Sequence, residues 1–300
     1  MPTVRVKAFA KINLTLRVLG TRADGYHELR TTFQSLALHD TLTCTERRGP
    51  FEITCSSPDC PVDATNLVWK AADAVWRAMK RRGEPANVRV DIRKRIPLQS
   101  GLGGGSSNAA AALQALATLW RTRLADADRA AIARELGADV PYFLHGGTAL
   151  GVARGDVLFP LGDVPRLWVV LVVPPFGVST RAAYQWWDEW AAEHPIGRVP
   201  RLRQAVRAPG LDVPDLELRN DLEAPVALRQ PEIGRLVRKL REAGAVYAAM
   251  SGSGSAVFGL FDARIRAEAA ASAFGRSVQV VLTSTIGRKT FARSARPVTD

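Results

Sequence analysis

PLQSGLGGGSSNAAAALQALATLW, residues Pro97 to Trp120, changes character halfway along. Four glycines and two serines crowd into Gly101 to Ser107, and alanine and leucine follow. Glycine reaches positive φ without a Cβ clash and lets backbone N–H groups approach a ligand. Leu113, Leu116, Ala117 and Trp120 recur at helical spacing on one face. A donor-rich loop thus runs directly into a helix N-terminus, whose unpaired N–H groups and partial positive charge suit a phosphate. The stretch reads as a triphosphate-binding loop, with an ordinary flexible turn before a helix as the bland alternative.

The common phosphate loops do not fit it. No GxxxxGK[ST] occurs in the chain, and GxGxxG counted from Gly101 fails at Ser106. The HRD and DFG segments of protein kinases are also missing.

Upstream, Asn87 to Ile92 alternates as a strand that delivers the chain into the loop. Before it, Asp63 to Asn66 starts a core-facing helix that stops by Gly83. At the beginning of the chain, Thr3 to Val18 reads as strand, and Lys11 and Asn13 lie two residues apart on one face. They either serve a site or sit on an exposed strand face. Asp24-Gly25 is a turn signal with Tyr26 and His27 just beyond it. Strand text resumes from Thr32 to Thr45, and Glu46 to Pro50 reads as a turn.

Downstream, Asp128 to Leu136 is predicted helical, and Asp139 stands two residues before Pro141 at the edge of an irregular turn. By itself that carboxylate reads as a cap or a base. Arg166 to Pro174 reads as a buried strand opening a second half. Ser179 to Ala192 follows as a helix whose Tyr184, Trp186, Trp187 and Trp190 form an aromatic stripe, with ligand stacking by Tyr184 as the sharper alternative. Arg198 to Asp215, rich in proline and arginine, is expected to be a surface connection. The remainder alternates helix (231–243), strand, glycine loop (251–255), strand, helix (263–274) and strand (278–283).

The 300 residues carry a net charge of +12, which suits an anionic ligand or a nucleic acid. The arginines are dispersed, however, and short clusters such as Arg93 to Arg95 read as solvated strand ends. No nucleic-acid-binding module is evident. No run approaches the roughly 18 apolar residues of a membrane span, so a cytoplasmic chain with neither membrane nor nucleic acid as partner is expected. Cys44, Cys55 and Cys60 show no CxxC pattern, and the four histidines are scattered. Reduced thiols and no protein-built metal site follow.

Three segments taken together, PLQSGLGGGSSNAA, LGADVPYF and MSGSGSAVFGLF, resemble the phosphate loop, the aspartate segment and the C-terminal glycine motif of the GHMP small-molecule kinases, in that order. The opening AKINLTLRVLGTRADGYHEL resembles more narrowly the branch whose acceptor carries a cytidine diphosphate. The resemblance implies an α+β chain with the two-domain GHMP kinase fold: a ribosomal-protein-S5-domain-2-like N-terminal domain over 1–160, a ferredoxin-like C-terminal domain over 161–300, and a site in the cleft between them. It implies ATP with Mg2+ carried on the nucleotide, and a small cytidyl-diphosphate alcohol as acceptor. Other alcohols of the family (homoserine, mevalonate, a sugar) are the rival substrates, and a noncatalytic nucleic-acid-binding protein is the rival of another class.

Carried onto this chain, the resemblance makes Asp139 the base and Lys11 its charge partner. Pro97, Gly101, Leu102, Gly103, Gly104, Gly105, Ser106 and Ser107 would hold the ATP phosphates, Asn66 would lie near adenine, and Gly252 to Ser255 would close the site. Asn13, Tyr26, His27 and Tyr184, with Asp139, would contact the acceptor. GVARGD at Gly151 to Asp156 departs from the family's usual GRGE, and Asp156 is given no role.

Overall fold

The computed structural model describes residues 1–194 and 218–299; the predicted connection over 198–215 lies outside them. The chain opens with two long strands, β1 (Thr3–Thr21) and β2 (His27–Pro50), paired antiparallel around the Asp24-Gly25 turn. Val4, Val6 and Ala8 of β1 are buried while Arg5 and Lys7 are exposed, the alternation of a sheet with one wet face. From Phe9 to Leu16 every residue is buried. At that point both faces of the strand are covered, and the Lys11 and Asn13 face is no exposed surface.

The chain continues through β3 (Glu52–Cys55), helix α1 (Leu67–Ala78), β4 (Ala86–Arg93), α2 (Gly104–Leu119), α3 (Asp126–Leu136), a 3-10 turn (Pro141–Leu144), β5 (Thr148–Ala153) and β6 (Val157–Pro160). The predicted turn over Glu46 to Pro50 is instead the end of β2, because pairing of Glu46 with Val88 and Pro50 with Ala86 extends the ladder across a bulge. In α2, Ala109, Ala112, Leu113 and Leu116 are fully or almost fully buried. Its small side chains let α2 lie close to α1 and to the sheet in one core with Val4, Val6, Leu42, Val75 and Val90. Each buried leucine contributes about 1.5–3 kcal/mol relative to exposure.

A second unit follows: β7 (Trp168–Val173), α4 (Thr180–Glu193), α5 (Glu223–Arg229), α6 (Pro231–Glu242), β8 (Tyr247–Met250), β9 (Val257–Phe261), α7 (Arg264–Ser272) and β10 (Gln279–Ser284). The sheet order β10-β7-β9-β8, antiparallel throughout, is the fourth-first-third-second order of a ferredoxin-like unit. Then α8 (Arg288–Ser294) and β11 (Val298–Thr299) bring the chain back to the first sheet, where β11 pairs with β1. The first sheet therefore runs β11-β1-β2-β4-β3, with β5 and β6 added along the other stretch of β2. Two units, one mixed and one antiparallel, are the α+β architecture expected from the sequence.

The units are joined by polar and apolar contacts. The Leu16 N–H donates to the Arg219 carbonyl at 2.8 Å, and the Val18 N–H to Asp221 Oδ2 at 3.0 Å. Ile12, Leu14, Leu36 and Leu102 of the first unit share a core with Val169, Leu171, Ala249 and Phe258 of the second. Among the described residues, no helix is long and apolar enough to cross a membrane. The three cysteines are free, and burial pushes the thiols of Cys44 and Cys60 up to about 12, which keeps them protonated.

Candidate active site

A cleft of about 1120 Å³ opens between the two units. Its floor is the glycine loop. Gly103 adopts φ 71° at the N-cap of α2, and no side chain caps that helix. The first intrahelical bond of α2, from the Ser107 N–H to the Gly103 carbonyl at 2.8 Å, leaves the N–H groups of Gly104, Gly105 and Ser106 without intrahelical acceptors. All three of those residues line the cleft. Glycine is needed for space as well as conformation: a Cβ on Gly103 would stand 2.7 Å from Phe143 Cζ and 3.1 Å from Lys11 Cγ.

The loop is locked from the second unit. Ser251 Oγ donates to the Gly101 carbonyl at 3.1 Å, and the Ala256 N–H donates to the Ser100 carbonyl at 3.1 Å. Gly101 has φ 75°, and a Cβ there would lie 2.1 Å from the Ser251 carbonyl oxygen. Gly101→Ala is therefore expected to cost at least about 2 kcal/mol, roughly 4 °C or more in Tm, and to weaken ATP binding, as a thermal melt paired with KM measurement will read. Behind the second loop, Asn220 Nδ2 donates to the carbonyls of Met250 (2.9 Å) and Gly252 (2.7 Å), and Glu223 accepts from the Met250 N–H at 2.7 Å. Burial pushes the Glu223 carboxyl up.

Beside the loop stands a buried ammonium. A register shift in β1 between Phe9 and Lys11 frees the Lys11 N–H to donate to the Leu102 carbonyl at 3.0 Å. Such irregularities redirect side chains near sites. Lys11 Nζ donates to Asn13 Oδ1 at 2.7 Å and lies 3.3 Å from Asp139 Oδ2. Asn13 Nδ2 in turn donates to Thr31 Oγ1 at 2.6 Å, and that hydroxyl donates to the Thr15 carbonyl at 2.7 Å. Lys11 and Asn13 are each 3% exposed, whereas a third of the Asp139 side chain faces the cleft. An accessible carboxylate beside a fixed cation can accept a proton at the place where the cation stabilises developing negative charge.

The far end of the cleft is aromatic. His27 Nε2 lies 2.8 Å from Asp188 Oδ1, and its ring stacks on Tyr184 at 4.6 Å with a 22° interplanar angle. Desolvation raises the Tyr184 phenol above its ordinary range. Tyr26 is half exposed, with the Arg154 guanidinium 5.1 Å from its ring centre. Arg154 is held by Asp156 at 2.8 Å.

Of the residues singled out in the sequence, Lys11, Asn13, Tyr26, His27, Pro97, Gly101, Gly103, Gly104, Gly105, Ser106, Asp139 and Tyr184 line this one cleft. Leu102 and Ser107 are buried beneath the loop. The Asn66 side chain is the N-cap of α1, accepting from the Val68 N–H at 2.9 Å, while its neighbour Leu67 lines the cleft. Sequence reading passed over Lys94, Arg154 and Asp188, which also line it. The only local sign for Lys94 was its place just before the glycine loop.

Residues 66–147 match the model of the GHMP kinases N terminal domain, and residues 198–279 match GHMP kinases C terminal. The chain is 42% identical to the 4-diphosphocytidyl-2-C-methyl-D-erythritol kinase of Moorella thermoacetica, over 87% of this chain and 90% of that protein. With the protein of the same name from Anaeromyxobacter dehalogenans the identity is 44%, over 93% of this chain and 90% of that one. A crystal structure of 4-(cytidine 5'-diphospho)-2C-methyl-D-erythritol kinase is similar at TM-score 0.75 and 33% identity, covering 94% of this chain and 99% of that one. L. major mevalonate kinase, at TM-score 0.69 and 17% identity over 94% of this chain and 96% of that one, shares the fold.

Proposed function

This chain belongs to the GHMP kinases, among the 4-diphosphocytidyl-2-C-methyl-D-erythritol kinases, and we infer from its cleft how it carries out the ATP-dependent phosphorylation of that alcohol. The reaction serves the non-mevalonate route to isoprenoid precursors. The observation that carries the mechanism is the Lys11 and Asp139 pair, 3.3 Å apart beside the glycine loop.

The uncapped N-terminus of α2 offers its N–H groups to the triphosphate, and Gly101 to Ser106 bring the backbone close to it. At the other end Tyr26, His27 and Tyr184 receive the cytosine, which orients the alcohol along the cleft toward Asp139. As the 2-hydroxyl oxygen attacks the γ-phosphorus, its proton passes to the Asp139 carboxylate and the bond to the bridging oxygen of ADP breaks. Lys11, 3.3 Å from Asp139 Oδ2, orients that carboxylate before transfer and offsets negative charge gathering on the phosphoryl oxygens. Phosphoryl transfer asks the protein for positioning and electrostatics more than for covalent chemistry, and this cleft supplies both.

Magnesium would arrive on the nucleotide at the mouth of the glycine loop and would supply neutralisation of the triphosphate charge. Among the described residues no three His, Cys, Asp or Glu side chains converge to cage a metal.

Recognition of the acceptor is tested at Tyr26, whose exposure makes the substitution structurally mild. Tyr26→Ala is expected to raise KM for the cytidyl alcohol by about 10-fold and leave KM for ATP unchanged. An unaltered acceptor KM removes Tyr26 from the binding surface.

A further inference from the structure

The turn between β5 and β6 is strained and has no part in the chemistry described so far. Ala153 adopts φ 58°, a left-handed conformation that is unfavourable for a residue with a Cβ, and the Gly155 N–H closes the turn on the Val152 carbonyl at 3.0 Å. Pairing of Leu29 with Ala153 sets this turn beside the one between β1 and β2, which carries Tyr26. Glu28 ties the two turns together. One of its carboxylate oxygens accepts from the Ala153 N–H at 3.1 Å, and the other accepts from Arg22 at 2.5 Å. At the tip, the Arg154 guanidinium lies over the Tyr26 ring, 5.1 Å from its centre, within the range of a cation–π contact.

Asp156 makes that placement rigid. It is 8% exposed and pairs with Arg154 at 2.8 Å. A carboxylate so buried is costly without a cation to answer it, so Asp156 and Arg154 hold each other in place. Tyr26, by contrast, is anchored through its backbone, whose N–H donates to Asp24 Oδ1 at 3.1 Å, while its ring is more than half exposed. A ring on such a turn has several rotamers open to it, and a fixed guanidinium against one face narrows them before a ligand arrives. We propose that Arg154, clamped by Asp156, is the positioning residue for Tyr26: it backs one face of the ring so that the other is presented to the cytosine. The proposal rests on the reading of Tyr26 as part of the acceptor-binding surface. Arg154 acts through the ring and Asp156 through Arg154, which gives a function to the carboxylate that sequence reading left without one.

The test compares Arg154→Met, Tyr26→Ala and the double variant by KM for the cytidyl alcohol, KM for ATP, kcat and inhibition by cytidine, which carries the base without the diphosphate. R154M is expected to raise the acceptor KM by about 3- to 10-fold and to weaken cytidine inhibition by the same factor, with kcat and KM for ATP little changed. R154K, which restores a cation without the flat guanidinium, is expected to fall between the parent and R154M. Y26A/R154M is expected to bind the acceptor no more weakly than Y26A, because the arginine has lost the ring through which it acts. An unchanged acceptor KM in R154M overturns the proposal, as does a lower one, which would mean that the guanidinium competes with the base. Losses that add in the double variant, or a loss for the cytidyl alcohol with none for cytidine, also overturn it, because Arg154 then contacts the diphosphate itself. R154M leaves the buried Asp156 carboxylate without its partner, so R154M/D156N, which removes both charges, carries the same comparison where the single variant does not fold. A failure of the underlying reading is seen separately, in a Y26A variant whose acceptor KM equals that of the parent.

Discussion

Asp139→Asn is expected to lower kcat by about 10²- to 10⁴-fold while leaving ATP affinity near that of the parent. The amide preserves the shape of the side chain but cannot take the proton of the attacking hydroxyl. Asp139 lies at the edge of the cleft with a third of its side chain exposed, so the amide fits in its place, although the buried Lys11 ammonium loses its carboxylate partner. Lys11 also retains its bond to Asn13 Oδ1. The expected signature is therefore a large fall in kcat with calorimetric ATP affinity little changed and only a modest loss of Tm, from the Lys11 ammonium that keeps the neutral Asn13 Oδ1 alone. Turnover close to the parent value takes Asp139 out of the proton-accepting role.

Lys11→Met should be comparably severe, about 10²- to 10³-fold in kcat, for a different reason. Methionine fills much of the same buried volume but carries no charge to stabilise the transferring phosphoryl group or to hold Asp139 at 3.3 Å. Asn13 Oδ1 also loses its donor, so a modest loss of stability accompanies the kinetic defect. Groups that act as a unit are not additive. The double variant K11M/D139N is accordingly expected to be little slower than the worse of the two single variants, and a product of the two effects would mean that the residues act independently.

Much of this cleft could be read from short-range sequence. The glycine loop and its helix are contiguous, and the period-2 relation of Lys11 and Asn13 became a direct 2.7 Å hydrogen bond. What a single segment could not show was their burial. The strand face carrying them is covered by Gly252, whose Cβ, if present, would be 3.2 Å from Asn13 Oδ1, and that contact spans the two units. The same holds for Lys94. In sequence it belongs to a basic triplet that reads as a solvated strand end, and it is internal only because Asp40, on another strand, pairs with it.

Other differences have equally local causes. Glu46 to Pro50 contains turn-forming residues, yet pairing with β4 keeps the segment extended. Asn66 has the residue type and position of a helix N-cap and is one; its amide donates to the Pro61 carbonyl while its oxygen caps α1. Tyr184 could not be placed against Tyr26 from spacing alone, and in the structure its ring lies on His27. The DGYH turn and helix α4 meet there through His27 and Asp188, from opposite units.

The central claim is that this cleft transfers the γ-phosphate of ATP to 4-diphosphocytidyl-2-C-methyl-D-erythritol. Phosphorus NMR of the purified protein with MgATP and that alcohol tests it most directly. The account predicts a new phosphomonoester signal on the alcohol growing in step with ADP, and no such signal with homoserine or mevalonate. Growth of a phosphorylated homoserine or mevalonate instead, with the cytidyl alcohol left unchanged, would contradict it.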